Sequence, residues 1–425
     1  MKKLLLCVLV LVIFAENSVQ ADQKDDLLLT MQQKIEELEK RLVTQEAKNA
    51  ELEERLNEYE GKVVTQIEKV AHSDKHLLSS KEIFPKVVGN LSIAGGLTGV
   101  VQGTSGNEDN VEDDGDVTDG SWSGDLELES ALGENGLAYI LMEAGNGEGL
   151  EYDEVTSFHG VNYDSGNSEA SVEMTEAWYE HLFFDEKLTL TVGKIDLTNY
   201  FDTNEVANDE TTQFLSDGFR NSIAVAWPED NGLGVRALFS PNELIDLSVG
   251  WTEADGDWED ISDDSFAIAE IGFKPKFGEL QGNYRLYGWY NGTDYSELVR
   301  DASSEGYGFG LSADQQIHPL VTIFGRIGWQ DDDVYEVEWA WSTGLELKME
   351  PIGRPEDVLA VAFGQAITSD DLDLGDEEHL EIYYRLQLTD YLALSPSFQY
   401  FWDPMGDDDT YDDFAVFGIR SQINF

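Results

Sequence analysis

The residue types that usually carry chemistry are scattered in this chain. Six histidines, His72, His76, His159, His181, His318 and His379, show no metal-ligand spacing, and no nucleophile motif accompanies them. The single cysteine, Cys7, sits in an apolar run near the N-terminus. A mature chain without that run would hold no thiol for catalysis, disulfides or metal binding. No enzyme activity, cofactor or metal site is therefore expected. Carboxylate is what the chain has in excess: 86 Asp+Glu against 26 Lys+Arg, a formal charge of −60. A field of that sign repels phosphate and excludes nucleic acid as a partner. An aromatic content of 11% is too rich for a disordered acidic chain, so the charge rides on a folded object. Runs such as Asn107-Glu108-Asp109 and Asp113-Asp114-Gly115-Asp116 have the composition of Ca²⁺-binding or ion-bridging loops. None has the EF-hand pattern, and a solvated acidic rim is the expectation.

Arginine follows a different rule. Arg236, Arg285, Arg326, Arg385 and Arg420 stand in alternating segments beside apolar neighbours such as Val235, Leu286, Ile327, Tyr384 and Ile419. Lone cations opposite a hydrocarbon-facing side belong on an enclosed wall. Glu127, Glu129, Glu338 and Glu346 share that polar parity. Acid and base on one wall would set a transverse field acting on solutes that pass. The long segment IDLTNYFDTNEVANDETTQFL, 195–215, follows the fifth candidate strand. It is the candidate to fold into that space, with Asp196, Asp202, Asn204 and Asn208 as candidate constriction residues; an external loop is the competing reading.

The elements that must position these groups have a period of two from Val87 onward. Val337, Trp339, Trp341, Thr343, Leu345 and Leu347 alternate with Glu338, Ala340, Ser342, Gly344, Glu346 and Lys348. Segments around Ile382–Leu388 and Leu392–Trp402 alternate likewise. Each is about ten residues, the length of a tilted membrane strand. The polar face is mainly Gly, Ser, Ala, Gln and isolated Arg, and the apolar face ends in Trp and Tyr. A soluble sandwich would show Lys and Glu on its wet face, so an outer-membrane barrel is preferred. Long acidic stretches at 253–263, 291–304, 330–336, 369–379 and 403–413 alternate with short turns near 274–277, 315–318, 351–355 and 389–390. These are read as extracellular loops and periplasmic turns. Seventeen candidate strands emerge, and closure with both ends periplasmic requires an even number. One assignment between Ser171 and Thr252 is therefore wrong; sixteen strands are preferred, with eighteen the alternative. The last strand, FAVFGIRSQINF (414–425), places Phe425, Ile423, Ile419 and Phe417 on the lipid side and Arg420 inside. Its terminal aromatic resembles a barrel-insertion signal.

The N-terminal region has another period. Lys2 and Lys3, the apolar run Leu4–Phe14 and Val19-Gln20-Ala21 are expected to form a signal peptide, 1–21. Residues 22–70 are expected to form a parallel coiled coil. Leu28, Met31, Ile35, Leu38 and Leu42 begin its a/d series; Lys34, Arg41, Lys48 and Arg55 at g face Glu39, Glu46, Glu53 and Glu60 at e of a neighbouring chain. An antiparallel pairing would set like charges together. Residues 71–86 read as a linker and 87–425 as the barrel.

Four blocks resemble the OprB-type carbohydrate-selective porins: 190–205 (LTVGKIDLTNYFDTNE), 306–329, 353–366 and 380–404. The last opens with an E-x-Y-Y-R-x-Q-L strand and a tight turn, the most specific of them. The resemblance implies a sixteen-stranded outer-membrane barrel admitting sugars and other small solutes by passive diffusion. Acidity and the coiled coil depart from the family pattern. The expectation is thus an all-β membrane protein, embedded in outer-membrane lipid and self-associating as a trimer. Two alternatives stand beside it: a general cation-preferring porin, and a tether joining the outer membrane to the cell wall through the coiled coil.

Overall fold

Alternation of period two becomes sixteen antiparallel strands: β1 (Leu91–Ser105), β2 (Thr118–Leu132), β3 (Gly136–Asn146), β4 (Val172–Phe183), β5 (Leu188–Lys194), β6 (Leu233–Asn242), β7 (Ile245–Glu253), β8 (Ser265–Phe273), β9 (Leu280–Ser296), β10 (Ser303–His318), β11 (Val321–Gln330), β12 (Val337–Lys348), β13 (Val358–Thr368), β14 (Glu377–Gln387), β15 (Leu392–Trp402) and β16 (Phe414–Asn424). The computed structural model describes residues 90–106, 115–150, 155–164, 171–259, 261, 264–408 and 410–425, together with Lys40. The expected signal peptide, coiled coil and linker lie outside the described residues, Lys40 apart.

Each strand pairs with the next, and β16 returns to β1 with Gly96 opposite Asn424 and Ser105 opposite Ala415. Gly95 and Phe425 exchange backbone hydrogen bonds of 3.0 and 2.9 Å at the seam. Closure leaves no edge whose N–H and C=O groups would be stranded in hydrocarbon.

The two faces are inverted relative to a soluble protein. On β16, Phe417, Ile419 and Ile423 are exposed while Arg420 and Gln422 are buried. On β11, Ile323 and Ile327 are exposed while Thr322, Arg326 and Gln330 are buried. An apolar exterior around a polar interior is the signature of a barrel solvated by lipid. Outward aromatics gather at the long-loop end: Phe309 lies 5.4 Å from Trp329, Trp341 lies 5.7 Å from Phe363, and Tyr400 lies 4.6 Å from Trp402. Rings of this kind anchor a barrel at the membrane interface. No helix among the described residues is long and apolar enough to cross a membrane.

Connections at 133–135, 184–187, 243–244, 319–320 and 388–391 are tight turns, and those at 274–279 and 349–357 lie at the same end of the barrel. Several features differ from expectation; the loop expected at 369–379 ends at 376, because β14 begins at Glu377. The turn expected at 315–318 lies at 319–320, because β10 carries its ladder through His318 against Val321. β9 extends to Ser296, shortening the loop expected at 291–304. Between Ser171 and Thr252 the excess strand disappears, because 195–232 contributes none.

Candidate functional site

Segment 195–232 leaves β5 and returns at β6, and between those points it lies inside the barrel. Its residues bond inward side chains of β8, β10, β11, β14 and β16, which only an interior segment can reach together. Asp196 starts it by capping a short 3-10 turn, Leu197–Asn199: its Oδ1 accepts the Thr198 amide at 2.8 Å. A single helical turn, Asp217–Arg220, follows further on. Apolar side chains glue the segment to the wall. Phe214 and Phe219 pack with Phe324 and Tyr383, while Leu197 and Phe201 pack with Phe266, Tyr287 and Trp289.

Arg326, an expected lumen cation, is the main clamp. Its Nε donates to Asp202 Oδ1 at 3.2 Å, its Nη1 to the Phe219 carbonyl at 2.7 Å, and its Nη2 to the carbonyls of Asp202 and Ala207 at 2.9 and 2.7 Å. The planar guanidinium supplies the diverging donors this needs. Asp202 Oδ2 accepts the Ser222 amide at 2.7 Å, and the Asp202 amide donates to Glu270 Oε2 at 3.0 Å. Asn208 Oδ1 accepts from the Asn204 amide at 3.1 Å and from Arg326 Nη2 at 3.3 Å; Asn204 Nδ2 reaches the Ala313 carbonyl at 3.3 Å. Asp202, Asn204 and Asn208 thus share one bonding network with Arg326. Of the four candidate constriction residues, Asp196 alone stands apart from it, 3.9 Å from Arg220.

Two carboxylates of β14, which the sequence reading did not single out, hold the other contacts. Glu381 accepts the amides of Leu215 and Ser216 at 2.8 and 3.1 Å. Glu377 accepts the amides of Phe158 and His159 at 2.9 and 3.0 Å and lies 2.8 Å from His159 Nδ1, drawing segment 155–164 inward. His379, between them, is stacked by Phe401 at 4.0 Å and Phe219 at 4.7 Å. His379 thus serves packing, while His159 carries a polar contact to Glu377. A signal existed in sequence: Glu377, His379 and Glu381 occupy successive inward positions, and buried charges need partners that a strand alone does not offer.

The remaining expected residues divide by partner. Arg236 lies 3.6 Å from Glu180 and covers the Tyr200 ring at 4.2 Å. Arg285 pairs with Asp314 at 3.1 Å. Arg420, fully buried, donates to the Glu210 carbonyl at 2.5 Å. Glu346 is in electrostatic reach of Lys348 and Arg385. Glu338 is a correction. A bulge between Val337 and Trp339 shifts the register of β12, burying Val337 and turning Glu338 to the outer face. There its Oε1 accepts the indole N–H of both Trp329 and Trp339 at 3.1 Å. It belongs to the aromatic belt, not the lumen.

Charge is unevenly spread. Asp125, Glu127 and Glu129 on β2, Glu143 on β3, and Glu176 and Glu180 on β4 form one acidic wall, with Asp196 and Glu210 of the infolded segment close to it. Arg220 sits among them, 2.6 Å from Glu210 and 4.1 Å above the Tyr163 ring. Arg236, Arg285 and Arg385 lie on β6, β9 and β14.

An apolar belt around a closed sixteen-stranded barrel, a polar wall within, and a long connection folded against that wall define an outer-membrane β-barrel of the porin class. The family described as carbohydrate-selective porin, OprB family, matches residues 116–425, and the chain belongs to it. The high-pH structure of Pseudomonas putida OprB superposes with a TM-score of 0.70 at 18% identity, covering 79% of this chain and 94% of that one. Porin AaxA of Chlamydia pneumoniae is 22% identical over 288 residues, 63% of this chain and 62% of that one. An uncharacterised protein of Aquifex aeolicus (strain VF5) is 29% identical over 208 residues, 49% of this chain and 57% of that one. The matches therefore span about three fifths of these curated relatives' lengths.

Proposed function

We propose that the barrel is a passive diffusion channel for small hydrophilic solutes, carbohydrates being the class that family membership favours. The observation that carries this reading is the polar interior narrowed by segment 195–232, which Arg326 of β11 and Glu381 of β14 pin to the wall. In this reading Asp196, Arg236, Arg285, Glu346 and Arg385 line the path. Arg326, Arg420, Asp202, Asn204 and Asn208 set its width by holding the segment in place. Transport needs no covalent step. Liposomes carrying the purified protein should swell in neutral sugars up to a size limit; swelling with none of them would sink the carbohydrate reading.

A second reading, a cation-preferring channel, is favoured by the acidic wall of β2–β4. Reversal potentials in planar bilayers under a salt gradient separate the two: strong cation preference without block by sugar supports the second.

Sequence pattern further supports a signal peptide over 1–21, a coiled coil over 22–70 in the periplasm, a linker over 71–86, and trimeric assembly. At about 1.5 Å per residue the coil would reach roughly 70 Å, enough to act as a tether toward the wall. Deleting residues 22–80 tests this. Envelope blebbing with solute uptake intact supports tethering; an unchanged envelope with loss of trimers leaves the coil an oligomerisation device.

A further inference from the structure

At the long-loop rim, β7 ends on a carboxylate with nowhere to put its charge. Glu253 is 1% exposed. Its Oε2 accepts the Leu233 amide at 3.4 Å, while its buried Oε1 has no hydrogen-bond partner, and no ion pair reaches it among the described residues. A buried carboxylate oxygen left unmatched is costly. The backbone around it is close-packed: a Cβ on Gly232, the last residue of the infolded segment, would stand 2.6 Å from the Glu253 carbonyl. Gly232 thus leaves room for the Glu253 backbone that a larger residue would not.

Two further carboxylates converge on it. Glu253, Asp255 and Asp257 each bring one oxygen into a group whose members all lie within 4.8 Å of one another, with both aspartates exposed. Gly256, at φ +67°, makes the turn that aims Asp255 and Asp257 the same way. Oxygens on opposite sides of a Ca²⁺ ion, with bonds of about 2.4 Å, stand about 4.8 Å apart. Three hard oxygen donors, one buried and two open to water that completes the shell, suit Ca²⁺ better than Mg²⁺, which demands a tighter octahedron.

We propose that Glu253, Asp255 and Asp257 form a Ca²⁺ site in the β7–β8 loop. It would fix this loop against Leu233, the point where the infolded segment rejoins the wall.

Thermal unfolding of the full protein in detergent, after chelation, tests the assignment with Ca²⁺, Mg²⁺ and NaCl as separate additions. Ca²⁺ should raise the unfolding temperature by several degrees and Mg²⁺ should do so much less. The double variant D255N/D257N, altered only at exposed side chains, should lose that response. It should also lose the Ca²⁺-displaceable part of Tb³⁺ luminescence sensitised by neighbouring Trp258. E253Q should lose the response too, yet be at least as stable as wild type in chelator, because it removes an unmatched buried charge. A Ca²⁺ response retained in D255N/D257N, one matched by Mg²⁺ or NaCl, or none in wild type overturns the proposal.

Discussion

Arg326 of β11 and Asp202 of the infolded segment meet at 3.2 Å, with neither side chain more than 1% exposed. Taking two charges out of water is expensive, and their mutual attraction alone seldom compensates. The pair persists because Arg326 also satisfies three carbonyls and Asp202 also satisfies the Ser222 amide. The salt bridge is the centre of a clamp that makes irregular backbone tolerable inside the barrel.

Arg326→Met should therefore release the segment without dissolving the barrel. Breaking one side of a buried pair costs about 3–5 kcal/mol, and the loss falls on the segment because the strand ladder does not use this side chain. Single-channel conductance should rise and become noisier, with increased proteolysis between residues 195 and 232. Arg326→Lys should rescue little, since an ammonium cannot fork to the same acceptors. Conductance identical to wild type in Arg326→Met would show that the segment does not set the aperture.

Glu381 offers a graded version of the same test. Each hydrogen bond to a charged acceptor contributes about 1.5–3 kcal/mol. Glu381→Gln keeps one acceptor and Glu381→Ala keeps neither. Hydrogen exchange at the Leu215 and Ser216 amides should accelerate modestly in the first and by a further order of magnitude in the second. Equal exchange in all three proteins would mean that packing of Phe214 and Phe219 holds the segment unaided.

The barrel was legible in the sequence because lipid enforces a strict alternation, visible in β16 as Phe417, Ile419 and Ile423 against Arg420 and Gln422. Glu338 departs from its parity because a bulge is invisible to alternation alone: one extra residue reverses the face. The infolded segment was legible only as a length anomaly, and its anchors were not. Glu377 falls in a stretch expected as an extracellular loop and Glu381 among ordinary lumen polarity, while their amide partners lie more than 160 positions away. Glycines carried an unused signal. Gly328 and Gly364 sit at inward positions where a Cβ would meet Ser222 Oγ at 2.8 Å and His159 Nε2 at 3.0 Å; they mark where backbone lies against the wall.

Gly328→Val follows from that contact. The added side chain collides with Ser222 and with Ala224, whose Cβ is 2.9 Å away, so it should push the returning half of the segment off β11. Overpacking of this kind costs about 1–3 kcal/mol. The folded fraction on heat-modifiability gels should change little while sugar size exclusion shifts. An unshifted exclusion limit would place the aperture elsewhere.

Acid should weaken the turn between β12 and β13 through Asp357. Burial raises its carboxyl, but Arg354 at 2.8 Å, Tyr384 at 2.8 Å and the Gln387 amide at 3.0 Å outweigh that and hold it below the usual value of 3.8. A depressed carboxyl contributes stability that is complete above its unfolded pKa, about 4, and disappears as pH falls through the lower folded value. The stability gap between wild type and Asp357→Asn should be constant from pH 8 to 5 and shrink below about pH 4. A gap independent of pH down to 2 would assign the loss to geometry instead of charge.

The uneven wall should set the ion preference of the channel. Asp125, Glu127 and Glu143 lie on neighbouring strands β2 and β3, with Glu210 of the infolded segment adding to their field. Their joint neutralisation, D125N/E127Q/E143Q, should lower the cation-to-anion permeability ratio measured from reversal potentials. Arg236→Gln with Arg385→Gln should raise it. Both effects should grow as salt falls, since the screening length lengthens from about 3 Å at 1 M to about 30 Å at 0.01 M. Shifts of equal size at both salt concentrations would point to a change in pore shape. No shift in the triple variant would show that permeating ions do not pass the β2–β3 wall, and the cation-preferring reading would fall with it.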